Sequence, residues 1–262
     1  MSLPKESLLQ GSQNAEALAA LLDRAEHVLK TWQPCWSDFV AAPLREELLE
    51  RCSSLSELNW QGEGGYPGAE RQRLLCSRSD TEPTEAAEPT PVSGLVIEGN
   101  FLFDPITPED LRQALIELGA SPSALGDIWV RGDRGGQAVL TPEQATALDG
   151  AQGQLRDVAI RCDQVSLDQL QLPAQRIPKQ LTSVEASCRL DAIASAGFGL
   201  SRAKVVTQIK AGKLRLNWNP IRQGSRDLRV GDRLHLQDRG SVEVLTLTLT
   251  KRQRWRVELL RR

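Results

Sequence analysis

The sequence is short of the residues that build metal and catalytic sites, and this shortage excludes several classes of protein. It has two histidines, His27 and His235, which lie far apart in the chain. Its cysteines are scattered and never form a C-x-x-C pair. Because a zinc site draws its ligands from closely spaced pairs, we expect no metal and no bound cofactor. The cysteines are predicted to be reduced thiols: Cys35, Cys52, Cys76, Cys162 and Cys188.

Long hydrophobic runs are also missing. No apolar stretch approaches the ~20 residues that a membrane-spanning helix needs, so no membrane insertion is expected. The first residues lack the basic start and apolar core of a secretory signal, and Glu6, Glu16 and Asp23 argue against a transit peptide. We therefore expect a cytoplasmic protein.

Charge is divided unevenly along the chain. Residues 187–262 contain 17 Lys+Arg and 6 Asp+Glu, a balance of +11. Residues 1–186 contain 15 Lys+Arg and 28 Asp+Glu, a balance of −13. The net charge of −2 is thus the sum of two segments with opposite charge. This division indicates an acidic body joined to a basic module that binds a polyanion.

The first third of the chain is predicted to be an N-terminal helical domain, residues 1–78. Residues 13–31 and 43–58 have apolar side chains at helical spacing, with aromatic residues at 32–39 packing between the two helices. The basic stretch 69–73 leaves a nucleic-acid contact open. Residues 79–93 are acidic and rich in proline, which predicts a linker or loop.

Residues 94–180 are predicted to form a ferredoxin-like domain within an α+β protein. Strands are expected near residues 95–101, 127–131, 137–140 and 158–161, and helices after Thr107 and Thr141, each followed by Pro-Glu. This β-α-β-β-α-β order is shared with RNA-recognition domains. Because their stacking aromatics are missing and Trp129 stands alone on its strand, a spacer or protein-contact role is equally compatible.

Residues 187–262 are predicted to form the basic module. Ser187 and Ser201 suit the N-caps of two short helices, and Gly212 suits the end of the second. Arg202 then lies in a first turn, where free N–H groups and the helix dipole favour a phosphate. A hairpin is expected over residues 240–260. Such a surface suits structured RNA, because cations neutralise phosphates without reading sequence.

Five short pieces of this module agree in order and spacing with one domain family. They are Arg189-Leu190-Asp191, Ser201-Arg202-x-Lys204, Ile209-x-x-Gly212-Lys213, Leu216-Asn217 and Gly231-Asp232. Together they resemble the RNA-binding domain named after ribosomal small-subunit protein S-four, the αL motif, over about residues 187–240. The candidate RNA-binding residues are therefore Arg189, Ser201, Arg202, Lys204, Lys210, Lys213, Asn217, Arg222, Arg226 and Arg229.

Upstream motifs resemble the YlmH family. They are Gly64-Gly65-Tyr66-Pro67 with Ala69–Arg73, and Leu118-Gly119-Ala120 with Leu125–Ile128. Within that family, Trp32–Phe39 is most similar to the cyanobacterial and plastid photosystem II S-four domain proteins. The resemblance implies a non-catalytic, monomeric RNA binder with structured rRNA and tRNA on the large ribosomal subunit as partners, and no DNA. It also implies translation quality control, with a role in photosystem II assembly or repair.

Two alternatives remain open from the sequence. One is a photosystem II assembly factor that acts through protein contacts of the acidic body. The other is an RNA-modifying enzyme, a pseudouridine synthase or a methyltransferase. The enzyme is disfavoured because the only Arg-Leu-Asp, residues 189–191, lies inside the binding motif, and because residues 94–165 lack a glycine-rich cofactor loop. No catalytic residues are predicted.

Overall fold

The chain divides into two compact units, Met1–Pro173 and Ala174–Arg262. The computed structural model describes residues 3–12, 14–80, 91–173, 178–236 and 239–262. Most of the predicted acidic linker, residues 81–90, lies outside the described residues. The first unit contains both the predicted helical domain and the predicted ferredoxin-like domain.

The N-terminal part of the first unit packs three helices against a small antiparallel sheet of strand order β1-β3-β2. One face of α2 is buried against this sheet, where its leucines meet Leu74 and Cys76. The elements are α1 (Lys5–Leu9), α2 (Ala15–Thr31), β1 (Cys35–Val40), α3 (Ala42–Arg51), β2 (Leu58–Glu63) and β3 (Gln72–Arg78).

Both predicted helices are present, although the second ends at Arg51 rather than near residue 58, and the sheet was not predicted. Trp36 and Phe39 lie on β1, not on a link between helices. Each strand is only six or seven residues long, and β2 reads Leu-Asn-Trp-Gln-Gly-Glu, which is too polar to mark a strand by alternation. The sheet is therefore specified by long-range pairing, which local periodicity does not reveal.

The ferredoxin-like prediction is confirmed. The strands form an antiparallel sheet of order β5-β6-β4-β8-β7, in which β7 is an additional hairpin strand at the edge. Both helix starts have the expected caps, since the Thr107 and Thr141 hydroxyls accept N–H groups from the first turns. The elements are β4 (Ser93–Glu98), α4 (Pro108–Glu117), β5 (Leu125–Val130), β6 (Gly135–Leu140), α5 (Pro142–Leu148), β7 (Gln152–Leu155) and β8 (Val158–Val165).

The face of this sheet opposite α4 and α5 is covered by other parts of the first unit. Val139 on β6 is fully buried in a cluster with Phe39, Leu170 and the partly buried Tyr66. A Cβ on Gly126 would lie 2.6 Å from Phe39 Cε1, so the approach of β1 requires glycine there. RNA-recognition domains stack bases on this face. Here it is occupied by the protein's own side chains, which favours the spacer role.

Two separated motifs meet at the carboxylate of Asp127. The Tyr66 hydroxyl and the Glu70 amide each donate to Asp127 Oδ2 over 2.7 Å, and the Arg71 amide donates to Oδ1 over 2.9 Å. Burial, then the neighbouring carboxylate of Asp127, raises the pKa of Tyr66 well above its usual value. The Gly-Gly-Tyr-Pro and Leu-Gly-Asp-Ile pieces of the sequence are thus two halves of one structural contact.

The second unit is a six-stranded antiparallel sheet of order β11-β10-β12-β13-β14-β9, packed against two helices. A Cβ on Gly197 of the first helix would lie 2.7 Å from Val242 Cγ1, so helix and sheet are closely apposed. The elements are β9 (Lys179–Glu185), α6 (Leu190–Phe198), α7 (Arg202–Lys210), β10 (Leu214–Leu216), β11 (Asn219–Pro220), β12 (Arg233–Leu236), β13 (Gly240–Leu249) and β14 (Trp255–Arg261).

This unit begins before the predicted boundary at residue 187. All seven residues of β9 pair with β14, so a strand whose first residues were placed in the central domain is the edge of the C-terminal sheet. The predicted final hairpin is confirmed as β13 and β14. Across the described ranges, no helix is long and apolar enough to cross a membrane.

Candidate nucleic-acid interface

Helix α7 begins as its sequence predicts. Ser201 is the N-cap, and its hydroxyl accepts the Lys204 amide over 3.3 Å. Val205 and Ile209 are buried on the inner side of the helix, whereas Arg202 and Lys204 are exposed in its first turn. The Arg202 guanidinium lies 3.5 Å from a Glu185 oxygen, and both groups are partly exposed, so solvent weakens this pair. The start of α7 therefore presents two cations beside a positive helix end.

The start of α6 differs from the prediction. Its N-cap is Arg189 rather than Ser187, and no side chain caps it. Instead, the loop before β12 lies across the helix end: the Leu190 amide donates to the Arg226 carbonyl and the Asp191 amide to the Gly224 carbonyl. Because these N–H groups are already paired, the start of α6 is not a free phosphate site. The prediction failed because the capping carbonyls come from a loop more than 30 residues away.

Arg189 is partly engaged inside its own motif. Its guanidinium donates to both carboxylate oxygens of Asp191, over 3.2 Å and 2.9 Å. Asp191 is buried, whereas the Arg189 side chain is 45% exposed. This forked pair compensates the buried carboxylate, and the exposed edge of the guanidinium remains accessible to RNA.

Asn217 closes a turn. Its side-chain NH₂ donates to Asp232 Oδ1 over 2.9 Å, and its Oδ1 accepts the Arg233 amide over 2.8 Å. Asp232 Oδ2 in turn accepts the Arg229 amide. Asn217 and Trp218 have φ of 47° and 66°, the left-handed backbone of a tight hairpin turn between β10 and β11. The Leu216-Asn217 and Gly231-Asp232 pieces are thus joined by a hydrogen bond between Asn217 and Asp232, and an RNA contact by Asn217 stays a prediction.

Six of the predicted cations are exposed and form no ion pair within the part of the chain that the structure describes. They lie on α7, on the turn after it, and on the loop that crosses both helices. We call this set the basic face: Lys204, Lys210, Lys213, Arg222, Arg226 and Arg229.

The loop of residues 221–230 brings the basic face together. A Cβ on Gly224 would lie 3.2 Å from both Asp191 Cβ on α6 and Ile209 Cδ1 on α7. Gly224, between Arg222 and Arg226, therefore lies against the residue that precedes Lys210, while the Arg226 carbonyl lies at the start of α6. Arg215, which the sequence reading missed as a candidate, is exposed on β10. Its alternation with buried Leu214 and Leu216 was the available signal.

The few acids of this unit compensate the basic face only in part. Asp191 pairs with Arg189, Asp232 closes the turn, and Glu243 lies 3.8 Å from Arg233 and 3.4 Å from Arg262. Asp227 is exposed on the loop itself and offsets one of its charges. Such a concentration of positive charge attracts a polyanion. The release of the counterions that were condensed on the polyanion then favours binding.

The basic stretch 69–73 has a structural role instead. The Arg71 guanidinium donates to the Leu125 and Phe39 carbonyls, and the Arg73 guanidinium donates to the Ser37 carbonyl. Trp129 is likewise engaged, since its indole N–H donates to the Gln171 carbonyl over 3.0 Å. These side chains hold the first unit together and are directed at its own backbone.

Comparisons with known proteins match two parts of the chain. A family model described as YlmH, N-terminal, matches residues 13–81, and an S4 domain model matches residues 188–234. The Bacillus subtilis (strain 168) protein named Ribosome-associated protein quality control protein P2 is 24% identical over 216 residues, which cover 82% of each chain. A solved structure titled Cell division protein ylmH from Streptococcus pneumoniae gives a TM-score of 0.48 at 15% identity, covering 60% of this chain and 94% of that one.

Each matched segment contains some of the motifs from which the resemblance was drawn, whereas the pieces at residues 118–120 and 125–128 lie outside both. The Tyr66 motif lies within the first match, and the Arg189, Ser201 and Asn217 pieces lie within the second. The chain thus combines a YlmH-type N-terminal domain with a C-terminal S4 domain, and its resemblance to the YlmH family is confirmed.

Proposed function

We propose that the protein is a non-catalytic RNA-binding factor that binds structured rRNA or tRNA on the large ribosomal subunit and takes part in translation quality control. The observation that carries this proposal is the basic face: six exposed cations, without ion pairs in the described ranges, fixed by two short helices and a loop inside an S4 domain. The name of the Bacillus relative, which speaks of ribosome association and quality control, supports the ribosome as the target.

The geometry favours recognition of RNA shape over base sequence. Lysines and arginines on helix ends and loops contact phosphates, which fix position but carry no sequence information. The basic face offers no aromatic platform. Trp218 is half-buried, and its ring centroid lies 5.0 Å from that of His235, with the two rings tilted by 36°. Structured RNA with a distinctive backbone path suits such a surface better than a single-stranded sequence.

A binding role without catalysis is supported by the state of the reactive groups. Burial raises the pKa of the Cys76 thiol to about 12 and of the Cys162 thiol to about 11, so neither is a ready nucleophile. The Arg-Leu-Asp of residues 189–191 is folded into the helix start, with Asp191 buried against Arg189. A pseudouridine synthase would need an accessible aspartate at such a motif.

The test is co-sedimentation with purified large ribosomal subunits. Lys204→Gln, Lys210→Gln and Lys213→Gln together remove three charges of the basic face that lack ion pairs. A matched control, Lys179→Gln, Arg239→Gln and Arg261→Gln, removes three charges of the same unit that belong neither to the basic face nor to the segment that matches the S4 domain model. We expect the first variant to bind about 10-fold more weakly or worse at ~0.1 M salt. Each lost phosphate contact multiplies the association constant by nearly the first power of the molar salt concentration. Equal binding by the two variants would contradict the proposal.

We place the photosystem II role downstream of translation. The segment that resembles the photosystem branch begins at Trp32, whose side chain is 57% exposed. The guanidinium carbon of Arg78 lies 3.7 Å from the centroid of the Trp32 ring. In a photosynthetic host depleted of the protein, ribosome stalling should then precede the loss of photosystem II. Loss of photosystem II with unchanged ribosome profiles would favour a direct protein contact at this segment instead.

A further inference from the structure

The turn between β13 and β14 carries a second concentration of positive charge that the αL motif does not include. Residues 250–256 contain four cations and no carboxylate. The side chains of Lys251, Arg252, Arg254 and Arg256 are exposed, and none forms an ion pair with another residue of the described chain. We call residues Thr250–Arg254 the hairpin tip.

The hairpin tip is held in one conformation by its own hydrogen bonds. The Thr250 amide donates to the Arg254 carbonyl over 2.7 Å, and the Thr250 hydroxyl donates to the same carbonyl over 2.9 Å. The Arg254 amide donates back to the Thr250 hydroxyl, and Gln253 takes a left-handed backbone with φ of 56°. A tip that is fixed in advance loses little conformational entropy when it binds.

The hairpin tip lies at the same end of the sheet as the start of α7. Glu185, the last residue of β9, pairs in register with Trp255, which directly follows the tip. The same Glu185 carboxylate lies 3.5 Å from Arg202, in the first turn of α7. The Glu185 carboxylate, which lies between the start of α7 and the tip, is therefore already paired with Arg202.

The surface of the tip is concave. Val184, Thr250, Lys251, Arg252 and Arg254 line a depression of about 620 Å³. Val184 is 52% exposed and contributes apolar surface to it, while Lys251, Arg252 and Arg254 contribute positive charge. A nucleotide has this mixed chemistry, since its sugar and base offer apolar surface and its phosphate binds arginine in a forked geometry.

We propose that the hairpin tip is a second RNA-backbone site, at which Lys251, Arg252 and Arg254 bind phosphates of the same RNA that the basic face binds. This inference rests on the proposed function and extends it from the αL motif to the end of the sheet. The RNA backbone then passes from α7, past the paired Arg202 and Glu185, to the depression beside Val184. Two separated sets of phosphate contacts make affinity depend on the three-dimensional path of the RNA.

The experiment is a pelleting titration of the full chain with purified large ribosomal subunits at several KCl concentrations. The tip variant is Lys251→Gln, Arg252→Gln and Arg254→Gln, which leaves the Thr250 hydrogen bonds to the Arg254 backbone in place. The basic-face variant and the control variant described above, at residues 179, 239 and 261, are measured beside it. All three carry the same charge change, so long-range attraction falls equally in each.

We expect the tip variant to bind about 10- to 100-fold more weakly than the control at ~0.1 M salt, as one or two lost phosphate contacts predict. The slope of log affinity against log salt should fall by about one to two relative to the control. If the tip variant matches the control while the basic-face variant weakens, the tip proposal is wrong and the proposed function stands. If the tip variant weakens and the basic-face variant matches the control, the tip binds RNA alone, and both the basic face as the binding surface and the shared path of the RNA are wrong.

Discussion

The bridge between Asn217 and Asp232 can be separated into its hydrogen bonds by a double-mutant cycle. Asn217→Gly removes two bonds, one to Asp232 and one from the Arg233 amide, and keeps a residue that tolerates positive φ. Asp232→Ala also removes two, one from Asn217 and one from the Arg229 amide. The double variant removes three bonds rather than four, because one is shared.

The shared bond sets the size of the coupling. Each bond is partly exposed and contributes about 0.5–1 kcal/mol, so each single variant should lower the free energy of unfolding of the C-terminal unit by about 1–2 kcal/mol. The double variant should cost about 1.5–3 kcal/mol, which leaves a coupling energy of about 0.5–1 kcal/mol. Hydrogen exchange in urea, read on peptides of β10 and β12, reports this unit separately from the first.

The same variants decide whether Asn217 contacts RNA. With the turn as its main role, Asn217→Gly should bind large ribosomal subunits within about twofold of the parent at temperatures where the unit stays folded, a change below about 0.4 kcal/mol. Additive costs in the cycle would show that the shared bond does not form. A tenfold loss of affinity with unchanged exchange would show that the side chain contacts RNA directly.

Three further predictions concern stability and reactivity. Tyr66→Phe should lower the free energy of unfolding of the first unit by about 1–2 kcal/mol in urea, since Asp127 loses one of its three donors; an unchanged midpoint would contradict the contact. Gly197→Ala should lower the Tm of the second unit despite its better helix propensity, because the new Cβ meets Val242 at 2.7 Å and overpacking costs about 1–3 kcal/mol. The Cys76 thiol, whose pKa burial raises to about 12, should react with Ellman's reagent at pH 8 only as fast as the protein unfolds; rapid labelling would show that the first unit opens locally.

The parts of the fold that could be predicted are those with local chemistry. Thr107, Thr141 and Ser201 cap helices as the sequence predicts. These caps were predictable because the capping side chain and its N–H partner lie within three residues of each other. The β-α-β-β-α-β order follows from the same local signals. The first sheet was missed because β1, β2 and β3 are short and are fixed by pairing between residues that are 10 to 41 positions apart.

The candidate site divides in the same way. The exposure of Lys204 and Lys210 follows from helical spacing and that of Lys213 from its place after Gly212, and the structure has all three on the surface. The covered start of α6 could not be predicted, since its N–H groups pair with carbonyls of residues 224 and 226. The role of Asn217 was hidden for the same reason, because its partner Asp232 follows 15 residues later. Sequence thus reveals which side chains are charged, whereas their availability depends on distant backbone.

The covered face of the central sheet has a consequence for how the chain folds during its own synthesis. Phe39 and Tyr66 find their buried partners only when Val139 and Leu170 have been made, about 100 residues later than Tyr66. At ~5–20 residues per second, these aromatic side chains remain without that partner for about 5–20 s. Contacts of such long sequence separation also slow folding, because the intervening loop must close first. The first unit therefore completes its core late, and its N-terminal strands depend on the nascent chain staying unaggregated until the ferredoxin-like domain emerges.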